Sequence, residues 1–220
     1  MSALWPLLKR DLALAVGGGR RGGATLPVLF FLAVAMLYPF AVGPRPDLLG
    51  ATGGGVIWVA ALLAAILPLD RLLAPDVEQG FFDQWALRGL SEEWVVAVRL
   101  LAHWLSFGPP LMLAAIPASA LLGLDAATLR TVELGLLAGT PGLAAIGLMI
   151  AAVTVSLRTG AALAGLLVIP LAVPLLIFGA GSLSTGGEGG LALTGAISLA
   201  LVAATPFAGG AAIRAARESQ

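Results

Sequence analysis

No cysteine occurs anywhere in the chain. Its absence excludes disulfides, thiolate nucleophiles, iron–sulfur clusters and c-type haem attachment, and leaves the redox compartment open. A single histidine, His103, excludes a multi-histidine metal site. Charge is scarce as well, at 11% of 220 residues, against roughly 25% in soluble domains. The 12 basic and 12 acidic side chains cancel, so no bulk field points to nucleic acid or an acidic substrate, and any electrostatic argument is local. What fills the chain is apolar: 59% of residues are hydrophobic and the mean hydropathy is +1.01. That is the composition of an integral membrane protein, here an all-α one organised as a single domain over 1–220.

A bilayer core needs about 20 apolar residues of helix. Six segments qualify: Ala24 to Val42, Gly50 to Leu69, Trp94 to Gly123, Thr131 to Leu157, Gly160 to Leu183 and Gly190 to Ile213. The third is long for one straight span, and Gly108-Pro109-Pro110 and Pro117 predict a bend or break in it. Pro39, Pro68, Pro141, Pro170, Pro174 and Pro206 interrupt other segments. Freed carbonyls in lipid need neighbours, which argues for a packed bundle. The spacings Gly135-x3-Gly139 and Gly142-x4-Gly147 predict close helix contacts.

Before the spans, residues 1–23 predict an interfacial helix and a hinge. In helical projection Leu4, Trp5, Leu7, Leu8, Leu12 and Ala15 share an apolar arc that suits the membrane surface, opposite Lys9 and Arg10. Asp11 falls inside that arc and spoils it. The three charges also argue against a signal peptide, so the segment is expected to be retained. Gly17-Gly18-Gly19-Arg20-Arg21-Gly22-Gly23 predicts a flexible basic hinge; it lacks the residues of a phosphate-binding loop.

Orientation follows from Lys and Arg. With six spans, Lys9, Arg10, Arg20, Arg21, Arg71, Arg88, Arg99, Arg158, Arg214 and Arg217 lie on one side and Arg45 and Arg130 on the other. The bias places both termini in the cytoplasm. The same side carries the densest charge in the chain: Asp70, Arg71, Asp76, Glu78, Asp83, Arg88, Glu92, Glu93 and Arg99 crowd between two apolar spans. Residues 70–93 are therefore expected to form a structured cytoplasmic segment. Its centre, Pro75 to Trp85, predicts one short amphipathic helix. Asp76, Gly80, Asp83 and Leu87 fall on one side of it, and Glu78, Phe81, Phe82 and Trp85 on the other. Leaving the three aromatics in water costs about 1.5 to 3 kcal/mol each relative to burial, so they are expected to enter the lipid interface or a partner's groove.

Little else carries chemistry. His103 and Arg99 are the candidate functional groups inside the third span. His103 is either a haem ligand or proton relay, or a neutral ring hydrogen-bonded to a neighbouring helix near the interface. Arg130 and Glu133 are spaced to pair at i, i+3. The five tryptophans (Trp5, Trp58, Trp85, Trp94 and Trp104) fit interface anchors for the most part. No nucleophile, base and carboxylate set exists, so no enzymatic activity and no metal site are expected.

The chain resembles the haem exporter protein B family, CcmB. The resemblance runs through Lys9-Arg10-Asp11-Leu12, Leu26-Pro27-Val28-Leu29-Phe30-Phe31, Tyr38-Pro39-Phe40-Ala41-Val42-Gly43-Pro44, Leu69-Asp70-Arg71-Leu72, Ala102-His103-Trp104, Gly139-Thr140-Pro141, Leu157-Arg158-Thr159-Gly160 and Pro174-Leu175-Leu176-Ile177-Phe178. It departs at Gly17 to Gly19 and at Gln79 to Gln84. The resemblance implies an ABC-2 exporter-like permease of the bacterial inner membrane, part of the cytochrome c maturation complex. Implied partners are an ATPase subunit (A), a haem-handling membrane subunit (C), a small single-span subunit (D) and, transiently, the haem chaperone. ATP would be bound by the partner, haem by the complex, and no cofactor by this chain. The segment Asp76, Glu78, Gly80, Phe81, Phe82, Asp83, Gln84 and Trp85 would then be the coupling helix for the ATPase. The alternatives are a permease that itself binds and exports haem, with His103 as ligand, and an exporter of another hydrophobic substrate.

Overall fold

A computed structural model describes residues 4–16, 25–67, 69–155, 160–184 and 187–218. The glycine hinge at 17–23, Pro68 and the turn around Arg158 lie outside the described residues, as do the side chains of Asp70 and Arg71. The described residues form helices: α1 (Leu4–Val16), α2 (Thr25–Val42), α3 (Pro46–Ile66), α4 (Leu69–Leu72), α5 (Ala74–Glu78), α6 (Phe81–Ala86), α7 (Glu92–Leu121), α8 (Ala126–Thr154), α9 (Gly160–Gly181) and α10 (Glu188–Glu218). Six of them, α2, α3 and α7 to α10, contain a stretch long and apolar enough to cross a membrane. They correspond to the six segments expected from the sequence, and the chain is a multi-pass membrane protein.

The central helix is α8, which packs on α3, α4, α7, α9 and α10. Of its apolar stretch 72% is buried, against 17% for α2 and for α10. Small residues make this possible. Gly135, Gly139, Gly142, Ala144, Ala145 and Gly147 let neighbouring backbones and rings approach where larger side chains would hold them off. The two glycine pairs thus lie at close contacts as their spacing predicted, although the first receives a ring rather than a backbone. Trp58 of α3, 1% exposed, lies against Gly135, Gly139 and Gly179. A Cβ at Gly139 would fall 2.5 Å from the Trp58 ring and 3.1 Å from Thr194 Cγ2.

This corrects the expectation for the tryptophans. Trp5 and Trp94 are exposed as interface anchors would be, but Trp58 and Trp85 are buried and the Trp104 indole N–H donates to Thr140 Oγ1 at 3.0 Å. Glycine notches in α8 and α9 make the room for Trp58, a pairing that composition alone does not announce.

Of the bend or break expected in the third span, the break is absent. Helix α7 runs continuously through Pro109, Pro110 and Pro117. Proline's fixed φ is helical, so each ring costs a hydrogen bond and some crowding without ending the helix when neighbours hold it in place. At 30 residues α7 is about 45 Å long, well beyond an apolar core of about 30 Å. Its first turns, bearing Glu92, Glu93 and Arg99, belong to an end of the bundle shared with α1, α4 to α6 and the last turns of α10.

Candidate functional site

The connection between α3 and α7 is built from three short helices. Pro75 lies in the first turn of α5, which begins at Ala74, where its missing N–H costs nothing. Gly80, at φ +64°, then ends α5 and precedes α6 in the left-handed conformation that glycine adopts without a Cβ penalty. The single helix expected over Pro75 to Trp85 is therefore two, and the break at Gly80 re-sorts the faces. Asp76 and Val77 turn inward from α5, and Phe82 and Trp85 turn inward from α6. Outward stand Glu78, Gln79, Asp83, Gln84, Leu87 and Arg88, with Leu87 89% exposed. The expected acidic face is thus divided: Asp76 is inside while Asp83 and Leu87 are outside. The aromatic face does not wait for lipid or a partner. Phe82 and Trp85 join the chain's own core, and Phe81 packs edge-on against both at 5.8 and 5.9 Å.

Asp76 is drawn in by a buried ionic network. Arg99, on α7 and 7% exposed, spends its guanidinium on three segments. Nε donates to Asp11 Oδ2 of α1 at 2.8 Å, Nη2 to Asp76 Oδ2 of α5 at 2.6 Å, and Nη1 to the carbonyl of Leu72, the last residue of α4, at 2.6 Å. Arg10 of α1 closes the ring, donating to both Asp76 oxygens at 2.6 and 3.2 Å and to Asp11 Oδ1 at 3.0 Å. Its guanidinium carbon lies 3.9 Å from the centroid of Phe81, and that of Arg99 lies 5.7 Å from it. Two arginines and two aspartates thus balance, with an aromatic ring lying against both cations.

Burial by itself pushes the Asp76 carboxyl up, but the hydrogen bond from Arg10 and the charges of Arg99 and Arg10 outweigh it and hold it below its usual value. Burial likewise opposes the charge of Arg10, and its bonds to Asp76 reverse the balance and hold it above its ordinary value.

Asp11 explains an irregularity in the sequence. Helix α1 packs on α7 with Leu7 and Asp11 inward, while Trp5, assigned by projection to the same apolar arc, is 63% exposed. The carboxylate that spoiled an interfacial helix is the group through which α1 is anchored. Its position inside an apolar arc was the available signal; nothing local identified Arg99, 88 residues away, as its partner.

A second ionic cluster lies at the same end of the bundle. Arg214 pairs with Glu93 and Glu92, and Arg217 with Glu92 and, at 2.7 Å, with Asp83. These contacts tie the last turns of α10 to α7 and α6 around a shallow cleft that Glu218 also lines.

The remaining candidates stand apart. His103 is 4% exposed, its ring 5.0 Å from Phe107, and its Nε2 has no hydrogen-bond partner. The bond to a neighbouring helix expected there is not made at that atom. Glu133 makes no ion pair with Arg130; its Oε1 is buried without a partner. Neither residue approaches the Arg99 network closely enough to share a bond with it.

A family model described as CcmB protein matches residues 2–216. The chain belongs to the CcmB family. Relatives of this CcmB chain include heme exporter protein B of Rhodobacter capsulatus, 46% identical over 213 residues that cover 94% of the chain and 97% of that protein. Heme exporter protein B of Paracoccus denitrificans matches to the same extent. Heme exporter protein B of Escherichia coli K12 is 39% identical over 193 residues, covering 86% and 88%. The CcmB assignment therefore spans all six apolar helices and the Arg10, Asp11, Asp76 and Arg99 network, and ends one residue before Arg217 of the second cluster.

Proposed function

We propose that this CcmB-family chain is the permease subunit of an inner-membrane ABC transporter complex that delivers haem for cytochrome c maturation. In this reading a partner ATPase hydrolyses ATP, and the chain conveys the resulting movement so that the haem-loaded chaperone is released from a haem-handling subunit. A small single-span subunit completes the complex. The chain itself is non-catalytic and holds no cofactor. The names of its relatives support haem export, and the excess of Lys and Arg on one side supports cytoplasmic termini and a cytoplasmic α4 to α6 segment.

One observation carries the coupling part of the reading. At one end of the bundle, the end of α5, α6 and the turns beside it present Glu78, Gln79, Asp83, Gln84, Leu87 and Arg88 outward, while α4 and α5 of the same segment are bound to α7 through Arg99. A segment exposed on one side and fastened to a span on the other can receive force. The coupling surface is accordingly this outer edge. Asp76, Phe82 and Trp85 support it from beneath, and Phe81 and Gly80 shape it.

Leu87→Asp tests this directly, since a side chain so exposed contributes little to folding. The variant is expected to insert normally yet reduce ATPase copurification by about tenfold, equivalent to about 1.4 kcal/mol of binding, with cytochrome c maturation falling in parallel. Wild-type copurification and maturation would refute coupling through this edge.

A further inference from the structure

We propose that the Arg10, Asp11, Asp76 and Arg99 network is a joint, and that Arg99 is the positioning residue that makes α1, α4, α5 and the end of α7 move as one unit. This rests on the coupling reading above and adds to it the element that receives the motion and the atoms that carry it.

The geometry is specific to arginine. Three nitrogens of one planar group reach three chain segments at 2.6 to 2.8 Å. A lysine ammonium is a point charge and cannot hold the same three acceptors in fixed directions. The outer edge is connected to the joint through Phe81: its ring touches Phe82 and Trp85 on α6 and lies against the Arg10 guanidinium. A push at Leu87 therefore meets a ring held by two cations, and each cation is bonded to aspartates on α1 and α5.

Stability alone is a poor reason for such an arrangement. Desolvating Asp11, Asp76 and Arg99, with Arg10 only partly buried beside them, offsets much of their mutual attraction, and well-packed apolar replacements of buried ion pairs are often equally stable. A directional clamp is what an apolar patch cannot supply. Helix α1 is consequently part of the transmission and not only a membrane-surface anchor.

The test uses the full chain, alone and with its ATPase. Arg99→Lys keeps the charge, and is expected to leave insertion and ATPase copurification within about twofold of wild type. It should raise amide exchange in α1 and α5 together by about tenfold, with α9 unchanged, and cut cytochrome c maturation about tenfold. Asp11→Asn with Arg99→Gln removes one charge of each sign, and guards against misfolding of the single variant. It is expected to regain thermal stability without regaining maturation. Unaltered exchange in α1 and α5, or wild-type maturation in Arg99→Lys or in the double variant, would overturn the joint. If the wild-type chain fails to retain the ATPase, the coupling reading fails, while the exchange measured on the chain alone still decides the joint.

Discussion

Asp76 shows how a residue's neighbours reverse what its sequence position suggests. Beside Glu78 and Asp83 it belongs to an acidic run, and its acidity invites a solvent-facing assignment; in the fold it is 5% exposed between two arginines. Asp76→Asn leaves Arg10 and Arg99 with one carboxylate between them, and breaking a buried pair costs about 3 to 5 kcal/mol. Thermal unfolding in detergent should register the loss as a lower midpoint.

The pH dependence has a definite sign. A carboxyl depressed in the folded state stabilises fully above its unfolded value, near 3.8, and the contribution is lost as pH falls through the lower folded value. The wild type should therefore exceed Asp76→Asn by a constant margin from about pH 5 upward, and the margin should close in acid. Arg10, whose pKa is raised further by its bonds to Asp76, adds no pH dependence in the neutral range.

Among the elements, α8 sets the closeness of the bundle and α3 supplies the ring that uses it. Gly139→Ala would place a methyl group 2.5 Å from Trp58 Cη2. The ring has little room to retreat, because Gly179 of α9 also lies against it. Overpacking of this kind costs about 1 to 3 kcal/mol. The Trp58→Phe change should relieve part of it, so the double variant is expected to melt above Gly139→Ala alone. No recovery would place the strain elsewhere, at Thr194 Cγ2, 3.1 Å from the same methyl.

The elements also show how far sequence patterning carries. The six spans were legible because apolar length is a property of contiguous residues. The continuity of α7 was not, because whether a proline breaks a helix depends on what surrounds it. The division of α5 from α6 was missed for a related reason. Gly80 was visible, but its left-handed conformation was not, and that one dihedral separates Asp76 from Asp83.

At the scale of the molecule, α1, the α4 to α6 segment and the ends of α7 and α10 are gathered at one end of the bundle by two ionic clusters. If that end is cytoplasmic, as proposed, a chain without cysteine offers a clean test. A single cysteine at the exposed Leu87 should be labelled by an impermeant thiol reagent only in inside-out vesicles, and one at the exposed Ala127 only in right-side-out cells. The reverse pattern would invert the topology and remove the coupling surface from the ATPase.

The sequence by itself determined the membrane class, the number of spans, the charge asymmetry and the family, because each is written in composition, local length or the order of motifs. Only the tertiary structure decided which charges are partners. Asp11, Asp76 and Arg99 lie 23 to 88 residues apart, and pairing at such separations is set by which helices pack, not by any local pattern. The same packing decided that Phe82 and Trp85 face inward and that Leu87 is left outside. Burial is a property of the surroundings of a side chain, and periodicity can say which residues share a face but not what that face meets.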